Sequence, residues 1–218
     1  MFRNNIYKDA LKKFAGDYVF NKIAEEGKEF LKVRGEVKEL VVCVMKVGGW
    51  SDLSNTLSPR EIVDFVNSYY NIMFKCISEN KGIVNSIAND VIISTWGLTD
   101  SDKSKEHLAC LSAIESQKYF LEISKKYSQI QLYVGIASGD ILVGNFGSDD
   151  RLFNILIGDY VKLDLLLSNK SAHYKTKILI SEKVKKTIED MINVELVDSI
   201  DIDNSEKNGI FALGAIKK

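Results

Sequence analysis

"SPREIVDFVNSYYNIMFKCISENKGIVNSIANDVIISTWG", residues 58–97, sets a helix and a hairpin back to back, and its reading decides the fold. Ser58, Pro59 and Glu61 form a helix start. The hydroxyl caps, the proline lacks an N–H where none is needed, and the carboxylate returns a bond to the cap. Ile62, Phe65, Val66, Tyr69, Met73 and Cys76 then recur at three- and four-residue intervals, one apolar face of a helix over 59–78. The remainder reads as strand, tight turn, strand, with Asn89-Asp90 at the turn.

Upstream of this stretch, a strand over 39–47 contains the longest apolar run, Leu40 to Met45, and ends on Lys46 before Gly48-Gly49. Downstream, Leu108, Leu111, Ile114 and Leu121 fit a helix over 104–126. "IQLYVGIASGDILVGNFGS" (130–148) reads as a strand pair punctuated by glycine. "IGDYVKLDLLLSN" opens a third helix, "KILISEKVKKTIED" gives a strand and a fourth helix, and the tail gives a final strand pair. The order β-α-β-β-α-β, with further mixed elements, predicts an α+β fold. Its core is a ferredoxin-like split βαβ unit, an antiparallel-rich sheet with helices packed on one face. Residues 6–31 are helix-compatible, with Gly16-Asp17 dividing them into two short helices. The expected organisation is a helical lead-in or junction over 1–34 and one domain over 35–218.

Composition narrows the function classes. At 218 residues and 45% hydrophobic, the chain can bury one ordinary core. A formal charge of -1 favours neither nucleic acid nor an anionic membrane surface. No apolar run reaches the length of a membrane span, and the N-terminus lacks the apolar segment of a signal peptide, so a cytoplasmic protein is expected. Cys43, Cys76 and Cys110 are an odd, scattered set and read as reduced core thiols.

Several stretches in this order resemble the catalytic domain of the class III nucleotide cyclases, the adenylate and guanylate cyclases. They are "GEVKELVVCVMKVGGWSDLS", the helix and hairpin above, "VGIASGDILVGNFGSDDR", "LIGDYVKLDLLLS" and "ILISEKV", with "FAGDYVFNKIAEEG" resembling the segment that often precedes such domains. The resemblance implies head-to-tail dimers with active sites across the interface. Two aspartates there hold two divalent metals that assist attack of the ribose 3′-oxygen on the α-phosphorus. The partner supplies a purine-recognising lysine with a polar companion, a ribose-orienting asparagine and a charge-neutralising arginine.

Carried over residue by residue, the first metal aspartate falls at Lys46 and the second at Asp90. The purine lysine falls at Ser86, its companion at Ile155, the asparagine at Lys162 and the arginine at Leu166. Only Asp90 keeps the family's residue. An ammonium cannot ligate a cation, and an ion pair between Lys46 and Asp90 is expected to keep the pocket neutral. Losing one transition-state donor costs roughly 3–4 kcal/mol, and this chain lacks several, so the resemblance implies a pseudo-cyclase. Its expected role is that of a dimerising regulatory or interaction module, a homodimer or the partner of another cyclase-like domain, with no cofactor. An alternative is a sensor that binds a nucleotide or small molecule without turnover, its groove formed by Lys46, Ser86, Ile155 and Lys162. A second alternative is a divergent nucleotide cyclase, a phosphorus-oxygen lyase using Mg or Mn at Asp90. Asp52 and Asp140 are available to it, but at no family ligand position.

Plainer readings stand beside these. Asp90 suits a tight turn, Lys162 a solvated helix face, and Gly144, Gly147 and Gly158 backbone geometry. Trp50 and Trp96 are expected in or near the core, and His107 and His173 have no second ligand at metal spacing.

Overall fold

The computed structural model describes residues 2–99, 104–127, 129–174, 176–201 and 207–217. Two compact units make up the chain, Met1–Val37 with Leu142–Ile157, and Lys38–Ile141 with Gly158–Lys218.

In the smaller unit, helix α1 (Phe2–Glu26) is interrupted at Gly16, whose φ of 81° and ψ of 164° lie outside helical space. The break stands where the Gly16-Asp17 pair predicts one. A short 3-10 turn (Gly27–Glu29) leads into the first residues of strand β1 (Arg34–Gly48). The last residues of β4 (Gln131–Gly147) pair antiparallel with β5 (Leu152–Ile157), from Leu142↔Ile157 to Gly147↔Leu152. Buried Asn145 donates to the Phe30 carbonyl and accepts from Asn154. A side chain at Gly144 would collide with the Arg34 carbonyl, so glycine is required there by the close approach of two backbones.

The larger unit is built on a sheet in the order β2-β3-β1-β4-β6-β8-β7, with β2 Ile83–Ala88, β3 Val91–Trp96, β6 Ile178–Ser181, β7 Ile192–Asp201 and β8 Lys207–Ile216. The β1–β3, β2–β3, β6–β8 and β7–β8 ladders are antiparallel, and β4–β6 is parallel. Helices α2 (Trp50–Thr56), α3 (Pro59–Glu79), α4 (Lys105–Ser124), α5 (Asp159–His173) and α6 (Glu182–Ile188) complete it. The order β1-α3-β2-β3-α4-β4 is the expected split βαβ core.

Helix α3 starts as its sequence dictates. The Ser58 side chain accepts from the Glu61 N–H, and the Glu61 carboxylate accepts from the Ser58 N–H at 2.9 Å. Its face of Phe65, Tyr69, Met73 and Ile77 joins one core with Ala109, Ala113 and Phe120 of α4, and α4 in turn meets α6, which adds Val184 and Ile188. These helices cover the sheet face that presents Val41, Cys43, Met45, Ile178 and Ile180.

Two sequence expectations are corrected, and one element is added. The sheet carries helices on both faces: Leu163 and Leu167 of α5 pack with Ala137 and Leu179, whose strand neighbours Ile136, Ile178 and Ile180 point into the other core. Successive strand residues face opposite sides, so two apolar clusters need two covers. Second, 131–147 is one long strand, because β4 changes partners along its length where the reading expected a glycine turn. The added element is a short helix, α2, which follows β1. Gly49 makes that turn at φ 80°, where a Cβ would lie 2.5 Å from the Gln129 carbonyl oxygen. Trp96 is buried and donates to the Asn80 carbonyl at 2.8 Å, Trp50 stacks on Phe65, and all three cysteines are buried thiols outside any disulfide. No helix of the described residues is long and apolar enough to cross a membrane.

Candidate functional site

Leu40 through Met45 have no exposed surface at all, and Lys46 is the first half-buried residue after them. Lys46 lies opposite Val91 in the β1–β3 ladder, so Asp90, one residue earlier, stands at the end of the pairing. The Val47 N–H donates to the Asp90 carbonyl at 3.0 Å. From α3, the hydroxyl of Tyr69, 1% exposed, is shared between the Met45 and Asp90 carbonyls at 3.4 Å each. Tyr70 donates to the Asn89 carbonyl at 2.7 Å, and Asn89 itself takes a left-handed φ of 54°. Two adjacent phenols thus fix the turn that carries Asp90. Burial pushes the Tyr69 phenol well above its ordinary range, and the Asp90 carboxylate pushes it further. Tyr70 is raised by the same two causes in the same order.

Lys46 does not form the expected ion pair with Asp90. Its ammonium donates to the Asn169 Oδ1 of α5 at 2.8 Å. The strand period explains the choice. Met45 and Val47 point into the core beneath α3 and α4, so Lys46 leaves β1 on the other face, the one α5 covers. Asn169 is not one of the positions that the resemblance singles out. The available signal was spacing, because positions 162, 166 and 169 fall on one helix face at i, i+4 and i+7.

The other candidate positions are dispersed. Ser86 is exposed on β2, beside a register shift between Val84 and Ser86. Leu166 is 41% exposed on α5. Lys162 belongs to α5, but its side chain lies outside the described residues. In the smaller unit, Ile155 is 38% exposed and pairs with Gly144, which offers no side chain to cover it. Asp52, in the first turn of α2, and Asp140, on β4, are both exposed.

A divalent metal does not fit this donor set. Asp90 is a single carboxylate, and no group of three histidine, cysteine or acidic side chains able to hold a metal occurs among the described residues. The neutral Asn169 oxygen that faces Lys46 is already bonded to its ammonium. A unit charge ~4 Å from another contributes about 4 kcal/mol at an effective dielectric of ~20, and a divalent ion would feel roughly twice that as repulsion from Lys46. The arrangement supplies a positive charge held by Asn169 at the end of the sheet where Asp90 stands, without a metal.

The fold agrees with what the chain is similar to. Residues 22–214 match the family model of the adenylate and guanylate cyclase catalytic domain. A protein named adenylate cyclase from Anabaena cylindrica is 24% identical over 198 residues, which is 87% of this chain and 39% of that protein. The chain therefore spans about two fifths of that curated relative. Among solved structures, the adenylyl cyclase CyaB from P. aeruginosa superposes with a TM-score of 0.74 at 23% identity, over 83% of this chain and 96% of that one. A dimeric guanylyl cyclase domain from the fungus Blastocladiella emersonii superposes at 0.68 with 17% identity, over 84% and 99%. At these identities the superpositions speak for the fold, and the family match covers most of the sequence. This chain belongs to the family of adenylate and guanylate cyclase catalytic domains.

Proposed function

We propose that this chain is a cyclase-homology domain without cyclase activity that works by pairing with a second cyclase-like domain, either another copy or a related chain. The observation that carries the reading is Lys46. At Lys46, where the sequence resemblance puts the family's first metal aspartate, the ammonium is bonded to Asn169, and Asp90 belongs to no group of three metal-ligating side chains among the described residues. Ser86, Ile155, Lys162 and Leu166 replace the remaining family groups, so neither half of a shared site is complete. Ile155 and Leu166 place apolar side chains, 38% and 41% exposed, where the family keeps polar ones; that chemistry suits a dry contact with a partner. A domain of the same fold is described as dimeric. In this reading residues 1–34 form the junction to the paired domain at 35–218, the protein works in the cytoplasm, and no cofactor takes part.

The test combines sedimentation of the purified chain with an assay for cyclic nucleotide from ATP and GTP in Mn²⁺. A dimer without turnover is expected. Metal-dependent product abolished by Asp90→Ala would replace this reading with that of a divergent cyclase, and a monomer at all concentrations, alone and with related domains, would remove the pairing role. The alternative of a metal-independent nucleotide or small-molecule sensor draws on one observation: the Lys46 ammonium is held by a neutral carboxamide, so its charge remains available to a phosphate. Calorimetric titration with ATP in EDTA addresses it directly.

A further inference from the structure

The end of β1 carries an arrangement that the family's chemistry does not need. Lys46 stands one pairing position from Asp90 across the ladder and is not paired with it. Instead its ammonium is bonded to the Asn169 carboxamide, 123 residues further along the chain. An acidic partner would have cancelled the charge, whereas a neutral acceptor fixes the ammonium's position and leaves its charge whole. The Asp90 side is fixed as well: its carbonyl accepts from Val47 and Tyr69, and its turn is held by Tyr70. The cation is thus tied through its side chain, and Asp90 through its backbone, to separate supports at one end of the sheet.

We propose that Lys46, positioned by Asn169, takes the place of a divalent cation at the Asp90 end of the sheet, so that the protein refuses divalent metal there. Three features converge on this. The ammonium occupies the Asn169 oxygen, which would otherwise be a neutral donor for a metal. The described residues contain no cluster of three acidic, histidine or cysteine ligands that could hold an ion despite the ammonium. The α5 positions one and two turns before Asn169 on its face are Leu166 and Lys162, so no carboxylate stands on that face within the two preceding turns. The inference concerns metal alone and does not depend on whether the chain dimerises or binds a nucleotide.

The test is Mn²⁺ binding to the full chain, followed by electron paramagnetic resonance and calorimetry without nucleotide. The wild type should show no saturable Mn²⁺ binding at millimolar metal. Lys46→Asp should bind it saturably and gain a Mn²⁺-dependent rise in melting temperature that EDTA reverses. Lys46→Asn, which removes the charge without adding another, should bind more weakly than Lys46→Asp and more tightly than the wild type. It also serves as the reporter if Lys46→Asp does not unfold cooperatively. Adding Asn169→Asp to the Lys46→Asp chain should tighten Mn²⁺ by about tenfold or more, a change that a merely structural Asn169 would not produce. Saturable Mn²⁺ binding by the wild type, lost in Asp90→Ala, overturns the proposal. So does a failure of both Lys46 variants to bind, because Lys46 would then not be what keeps the metal out. An unchanged affinity on adding Asn169→Asp would overturn the role given to Asn169.

Discussion

Tyr69→Phe removes one oxygen from the centre of the site and leaves the rest of the packing in place. The ring stacks on Phe65 at 6.4 Å and 13° and meets Phe120 edge-on at 6.1 Å and 84°, and phenylalanine reproduces both contacts. What is lost is a hydroxyl bond divided between the Met45 and Asp90 carbonyls, at 3.4 Å each. The Asp90 carbonyl keeps the Val47 N–H, so it is not orphaned. The cost should therefore be that of one long neutral hydrogen bond, about 1 kcal/mol, not the larger penalty of a buried unsatisfied group. For a chain of this size that corresponds to a melting temperature lower by about 2–4 °C. Urea unfolding followed by tryptophan fluorescence should show a lower midpoint with an unchanged slope.

A pH arm isolates the same hydroxyl. The Tyr69 phenol is raised well above its ordinary value in the folded chain, so above pH ~10 the unfolded chain releases a proton that the folded chain retains. The unfolded state then binds fewer protons, and stability falls as pH rises. The wild type should lose stability more steeply than Tyr69→Phe above pH ~10, and the gap between them should narrow. A loss beyond about 3 kcal/mol at neutral pH, or parallel alkaline profiles, would refute the account of how this hydroxyl is held.

Ile155→Glu and Leu166→Glu, each at a partly exposed apolar position, should convert a dimer to a monomer that still unfolds cooperatively; sedimentation equilibrium and a thermal melt check both halves. Asn80→Ala removes the Nδ2 donor bonded to the Cys76 carbonyl at 2.9 Å and to Glu115 at 2.7 Å, and should destabilise by about 1–2 kcal/mol in chemical denaturation. Glu39 is held below the usual carboxylate range first by its hydrogen bond from Lys183 and then by the charges of Lys105 and Lys183. Its folded-state value is depressed, so its contribution is present above the ordinary carboxylate value and is lost as pH falls through the depressed one. Because the carboxylate is 51% exposed, Glu39→Gln should cost less than about 1 kcal/mol at neutral pH and still less in high salt, measured by urea midpoints at two ionic strengths.

What the sequence by itself determined is the set of features whose causes lie within a few residues. The Ser58–Glu61 cap, the 3.6-residue face of α3, the Asn89-Asp90 turn and the break at Gly16 all follow from local backbone preference and short-range side-chain bonds. They were enough to order the split βαβ core and to locate Lys46 at the end of a buried strand. Tertiary structure decided which face of the sheet each side chain leaves, and hence its partner. The Lys46 ammonium meets Asn169 and not Asp90 because α5, more than a hundred residues away in sequence, covers the face to which strand periodicity directs it. The continuity of β4 through its glycines has the same origin, since strand pairing on successive parts of its length holds extended a segment that local preference would let turn. No local signal carries that information, because it resides in which distant segments are brought side by side.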